Sequence, residues 1–283
     1  MPRSELSLLL TDAYRERLSD HQATVEAQAR LAWGRIPRQE PDLDAEHDRW
    51  LRFTLPALLS AQSAAAVSSA GYTSAFVASE LVRAPSTVPI DAPDYVGIAR
   101  DGRPIRDALN SPLIGVKAAL KQGQPLSRAL DMGLTRALRM LWLAVDAAAR
   151  ESLRDAQLAD DRIVGYRRAI AGTCGACLAA ASRTFGKGVR FKIHPGCQCI
   201  AEPRVDGVDD THPRATGTEL FASMSRAEQD KAVGADVAAL IRGGDLEITD
   251  LAATSPQHLG DDFITQAPLA SLVADSDDAT DAA

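Results

Sequence analysis

Aromatic residues are scarce in this chain, with 3 Trp, 4 Tyr and 6 Phe among 283 residues. Strands favour aromatic and β-branched side chains, so this scarcity, beside conspicuous Ala-rich runs, argues against a sheet-dominated fold and for helix. Cysteine is confined as well as rare: Cys174, Cys177, Cys197 and Cys199 are all there are. No disulfide framework can therefore span the chain, and a chain of this length buries enough core to need none. Neither a GxxxxGK(S/T) phosphate loop nor a GxGxxG dinucleotide turn occurs, which leaves nucleotide hydrolysis and hydride transfer without support. Long apolar runs are also missing. Residues 57–79 are uncharged, yet Ser60, Gln62, Ser63, Ser68, Ser69, Gly71, Thr73 and Ser74 interrupt them, so a closely packed Ala/Ser helix is expected there and no membrane partner. Glu5 and Asp12 flank a very short apolar stretch, unlike the basic start of a secretory signal, and export is not expected. There is no internal repeat.

Helical periodicity governs the first half. A helix is predicted from Ser4 to about Trp33, with Val25, Ala29 and Trp33 four apart on one face and Pro37 as a stop. A second helical region should run from about Ala45 to Val82, reset at Pro56, with Trp50, Phe53, Leu58 and Leu59 as core contacts. Prolines 85, 89, 93 and 104 forbid regular structure between Ala84 and Pro104. That stretch reads as a long loop, either a plain linker or an arm reaching a neighbouring subunit. Ser111-Pro112 then reads as N-cap and first position of a short helix with the stripe Leu113, Val116 and Leu120. Leu130, Leu134, Leu138, Leu141, Val145 and Leu153 mark a long helix closed by Asp160-Asp161.

From Arg162 the pattern changes. Ile163 to Ile170 has the content of a strand running into the Cys174-Gly175-Ala176-Cys177 turn. A short helix is expected over Leu178–Ser182, a second strand over Val189–Ile193 delivering His194, and a third over Ile200–Val205. After Val205 the chain turns acidic, with 16 Asp and Glu against 4 Lys and Arg. Ser225 and Glu228 fit a capping box, predicting a helix to about Arg242 that ends at Gly243-Gly244, followed by a docking segment at Leu246, Ile248 and Leu251. Beyond Leu272 the run is too charged to fold alone. The expected class is mainly α with a small α+β Cys/His-bearing module. Its parts are a helical domain over 1–160, a zinc-knuckle-like module over 161–205, and an acidic C-terminal extension over 206–283 with one capped helix and a disordered end.

The cysteines carry the chemistry. A CxxC turn aims two thiolates at one centre, with Gly175 relieving the tight backbone, and Cys197 and Cys199, two apart on extended chain, point the same way. The favoured ligands of a zinc ion are Cys174, Cys177, Cys197 and Cys199, with His194 replacing one of them or lying behind them. Two disulfides in an oxidising environment, or four reduced and packed thiols, are the alternatives. Around them residues 161–205 hold eight Lys and Arg against two acids. Arg167, Arg168, Arg183, Lys187, Arg190 and Lys192 are thus candidate contacts for nucleic acid or an acidic protein ring, or a solvated face balancing the acidic extension.

Catalytic constellations do not assemble from this sequence. The zinc-deaminase order of His-x-Glu before Pro-Cys-x-x-Cys is reversed, with no Glu at that spacing after His194. Cys174 or Cys177 with His194 could form a nucleophile pair, but vicinal thiols are far more often structural or metal-bound. None of His21, His47, His194, His212 and His258 sits in a serine-nucleophile motif, and most read as solvated surface residues.

The order Tyr166-Arg167-Arg168, Cys174-x-x-Cys177, Phe191, His194-Pro195-x-Cys197-x-Cys199 and Glu202-Pro203 resembles the Mu F-like minor capsid proteins of tailed bacteriophages, or phage head morphogenesis proteins. Phe221, Ser225, Gln229, Gly234, Gly243-Gly244 and Asp250-Leu251 look like that family's C-terminal extension, and the helical half is similar in architecture to actinobacteriophage members. The resemblance implies a minor structural protein bound to the portal inside the capsid. It would be made in the host cytoplasm and act in head assembly and in DNA packaging or ejection, with scaffold, major capsid protein and viral DNA as further partners. Related reading frames are often labelled capsid maturation proteases, which is the alternative; these residues compose no protease site.

Overall fold

The computed structural model describes residues 5–39, 41–85, 90–172, 174–190, 197–208 and 214–252. His194, Lys192, Phe191, Pro195 and the acidic end lie outside them. The described chain is mainly helical with one small sheet, and divides into two compact units, Leu8–Asp160 and Asp161–Ala283 with Met1–Ser7. None of its helices is long and apolar enough to cross a membrane.

Three long helices make the first unit: α1 (Glu5–Trp33), α2 (Leu43–Leu81) and α5 (Leu126–Ala159), with the short α3 (Ile105–Ala108) and α4 (Ser111–Lys121) between. Asp42 caps α2 by accepting from the backbone N–H groups of Asp44 and Ala45. α2 does not reset at Pro56. Pro56 is exposed and stays within the unbroken helix, although it has no N–H to give the Arg52 carbonyl. Phe53, expected in the core, is exposed and lies under the Arg35 guanidinium instead.

Small residues let α2 and α5 approach closely enough for side chains to bond the opposite backbone. Gln62 Nε2 donates to the Ala144 carbonyl at 3.2 Å, Ser69 Oγ to that of Ala149 at 2.8 Å, and Ser152 Oγ to that of Ala66 at 2.8 Å. Against α1, Trp50 Nε1 donates to the Ala29 carbonyl and Tyr14 pairs with Ser69, its ring stacked on Tyr72 at 4.6 Å. Trp50, Tyr14 and Tyr72 thus bury their rings, and Trp50 and Tyr14 satisfy their polar ends.

Gln62 near the middle of α2 meets Ala144, and Ala66 and Ser69 further along it meet Ser152 and Ala149, so the two helices run parallel and need a connection that travels their length. The segment from 90 to 110 supplies it. Tyr95 donates to Asp155 at 2.9 Å, Gln62 clasps Gly97 N–H and the Ile98 carbonyl at 2.9 Å each, and Asn110 meets His47 at 3.3 Å. The described part of the proline-rich stretch is therefore a return strap bound to its own helices. It also moves the cap of α4 back one residue, to Asn110, with Pro112 still in the first turn.

In the second unit β1 (Ile163–Ala169) lies between β2 (Thr184–Gly186) and β3 (Ile200–Val205), antiparallel to both. Thr184–Gly186 is a strand not expected from the sequence; of the predicted Val189–Ile193, residues 191–193 lie outside the described residues. Stacking of Tyr166 on Phe185 at 5.0 Å across β1 and β2 selects Thr184–Gly186 for pairing. α6 (Gly175–Ala181) begins at the CxxC itself rather than after it. Downstream, α7 (Gly217–Ser223) carries a capping box of Thr216 and Glu219, and α8 (Arg226–Val233) the expected one of Ser225 and Glu228. The single predicted helix breaks at Gly234, φ +92°, where α9 (Ala235–Gly243) starts. Leu178 of α6 shares one core with Phe221, Val233, Val237, Ala238 and Ile248, so described residues of the acidic segment pack on the cysteine module.

Candidate metal centre

Local geometry brings the thiols together. Cys174 is the residue before α6 and Cys177 lies in its first turn, while Cys197 and Cys199 immediately precede β3. Pairing of β3 with β1, Ala169 opposite Ile200 and Arg168 opposite Ala201, fixes the approach of that segment to the sheet. The sulfurs of Cys177, Cys197 and Cys199 all lie within 4.8 Å of one another, and all three residues are buried. Cys177 Sγ and Cys197 Sγ are 3.8 Å apart. A tetrahedral zinc site with Zn–S near 2.3 Å has a sulfur–sulfur edge of about 3.8 Å, so the donor set and spacing fit such an ion. No disulfide joins any of the four cysteines in the structure.

Cys174 packs at the edge of this cluster, partly buried, and is not within the same mutual distance of all three. His194 falls outside the described residues. Gly175 plays a different part from the one expected. A Cβ there would stand 2.6 Å from both the Ala232 carbonyl and Val233 Cγ1, so the glycine admits the end of α8 against α6.

The thiols perturb one another. Cys177 is pushed far above its ordinary value, first by its hydrogen bond with Cys174, then by those with Cys197 and Cys199 and by burial. For Cys199 the bond with Cys177 pulls downward, but the bond with Cys197, burial and the charge of Cys197 outweigh it and leave the thiol raised. Cys177 and Cys199 thus favour the protonated form while no cation is present; a coordinated divalent ion reverses this and deprotonates a ligating thiol outright.

The basic residues divide. Arg168 Nη1 donates to Cys177 Sγ at 3.7 Å and to Cys197 Sγ at 3.9 Å. Arg183 donates to the Thr249 carbonyl at 2.9 Å, Lys187 lies 3.9 Å from Asp161, and Arg190 is exposed. Arg167 and Arg168 line an open pocket of about 250 Å³ with Ile170, Arg214, Thr216 and Leu220. Sequence reasoning missed the ion pair of Arg214 with the fully buried Glu202, at 3.0 Å. An acid on a strand among basic residues was the available signal, but its partner lies across a turn. Of the two histidines among the described residues, His47 is buried against Trp50 and His21 is partly buried. His212 and His258 lie outside the described residues.

Fold and site together define a mainly helical protein bearing a small α+β unit whose three buried cysteines are close enough to hold a metal ion. Comparison with family models, curated proteins and solved structures gave no match.

Proposed function

We propose that this chain is a minor capsid protein of the Mu F-like, head-morphogenesis type, in which a zinc-stapled α+β unit serves as a contact module for the portal. The observation that carries the reading is the burial of Cys177, Cys197 and Cys199 within one 4.8 Å cluster. These are three of the residues on which the family resemblance rests. A donor set built on three thiolates favours zinc, and a site closed by protein ligands is structural rather than catalytic. Cys174 or His194 completes the tetrahedron. In this role the protein joins the portal in the host cytoplasm, stays inside the capsid, and contacts scaffold, major capsid protein and entering DNA through Arg190 and its basic neighbours.

Two measurements test the proposal. Protein purified without chelator should carry close to one zinc per chain; less than about a tenth of an equivalent of any transition metal refutes the staple. Co-expression with the portal, scaffold and major capsid proteins of the same genome should give co-purification with the portal and leave the others intact. Cleavage of scaffold or capsid protein would replace this reading with that of a maturation protease.

A further inference from the structure

We infer that Arg168 is the charge partner of the cysteine cluster, a positioning residue that holds metal-bound sulfurs in place rather than a surface contact for nucleic acid. The inference rests on the zinc reading and goes one step beyond it. One guanidinium nitrogen, Nη1, reaches sulfurs delivered by two separate segments: Cys177 of α6 at 3.7 Å and Cys197 before β3 at 3.9 Å. The register of β1 against β3 holds it there, since Arg168 pairs with Ala201, two residues beyond Cys199.

Charge supplies the reason. Metal binding requires thiolates, so a divalent ion with three of them leaves a net charge of about −1, and with four about −2, in a buried place. Uncompensated buried charge is strongly disfavoured. A guanidinium is protonated at every working pH, and its N–H groups make charge-assisted bonds to the lone pairs that the metal leaves on sulfur. A guanidinium is also more weakly hydrated than an ammonium, so it is brought next to a buried anionic cluster at less cost than a lysine would be.

The test titrates the full-length protein with Co²⁺ and then Zn²⁺ against a competing chelator, comparing wild type with Arg168→Gln, Arg168→Lys and, as a charge control, Arg167→Gln. Loss of a partner behind the ligands weakens metal binding by about 10–100-fold, the expectation for Arg168→Gln, with Arg168→Lys intermediate. Arg167→Gln removes the same unit of charge from the adjacent position and should stay within about threefold of wild type. At saturation the sulfur-to-cobalt absorption should reach full intensity in every variant, because the ligands are unchanged. Wild-type affinity in Arg168→Gln overturns the inference and leaves the zinc reading standing. A wild type that takes up neither ion overturns both. If Arg168→Gln does not fold, Arg168→Lys decides: weakened binding supports the role and unchanged binding overturns it.

Discussion

Gly133 and Gly71 both lie within long helices of the first unit, and the same substitution, Gly→Ala, should move stability in opposite directions at the two. In a helix interior Ala is favoured over Gly by about 1 kcal/mol. At Gly71, exposed on α2, an added Cβ meets nothing within 4 Å, so that gain should appear undiminished. At Gly133 on α5 the Cβ would overlap Val116 Cγ2 and stand 2.9 Å from Trp33 Cζ2. Neither neighbour gives easily. Val116 is β-branched and 1% exposed, and Trp33 is 4% exposed, edge-on to Trp50 and anchored by its Nε1–H bond to the Leu130 carbonyl at 3.1 Å. Overpacking costs about 1–3 kcal/mol, and rigid surroundings place this site at the upper end. The net expectation is about 2 kcal/mol of destabilisation for Gly133→Ala against about 1 kcal/mol of stabilisation for Gly71→Ala. For a unit of this size that is a Tm lowered by roughly 4–8 °C and raised by roughly 2–4 °C. Tryptophan emission is the assay, because Trp33, Trp50 and Trp142 are the only tryptophans and all lie in this unit. A Gly133→Ala variant as stable as wild type, or more stable, would refute the close approach of α1, α4 and α5 at that point.

Removing metal should loosen the second unit. Chelation should expose the β1 and β3 amides to hydrogen exchange, with a stability loss of about 4 kcal/mol relative to free zinc at about 1,000 times its Kd. Cys197→Ser should reproduce the effect in zinc-replete buffer, and unchanged protection in both would rule out a stabilising ion. In the first unit His47 is held below its ordinary value by burial, which its bond to Asn110 only partly opposes, and His21 is lowered by burial and Arg17. The unfolded chain therefore takes up these protons first. Stability is complete above the unfolded value near 6.5 and falls as pH drops below it, by up to about 1.4 kcal/mol per pH unit for each histidine. Urea midpoints by tryptophan emission at pH 7.5 and 5.5 should show a smaller loss in His47→Gln than in wild type, and equal losses would remove His47 from the account.

The parts of this molecule that were legible in the sequence are those set by neighbours a few residues apart. Val25, Ala29 and Trp33 are buried as their spacing requires, Ser225 and Glu228 form their capping box, and Ile200–Val205 is a strand. What was not legible depends on approach between distant segments. A composition rule makes residues 84–104 a loop, but only the parallel pairing of Ser69 with Ala149 and Gln62 with Ala144 shows why it must be long. Gly175 matches a turn glycine in sequence, yet its want of a side chain answers to Val233, more than fifty residues on.

The cysteine site falls between these cases. Spacing alone says that thiols from the CxxC and the CxC can converge, because each pair is delivered by a short rigid piece. It says nothing of where a cation will stand. Arg167 and Arg168 are equivalent by composition, and both read as members of a basic surface. The pairing of β1 with β3 breaks that equivalence by carrying Arg168 to two sulfurs while Arg190 remains exposed. A local charge excess counted along the sequence therefore overstates the charge available to a partner. Part of it is directed inward, toward the negative charge that a thiolate-bound metal would create.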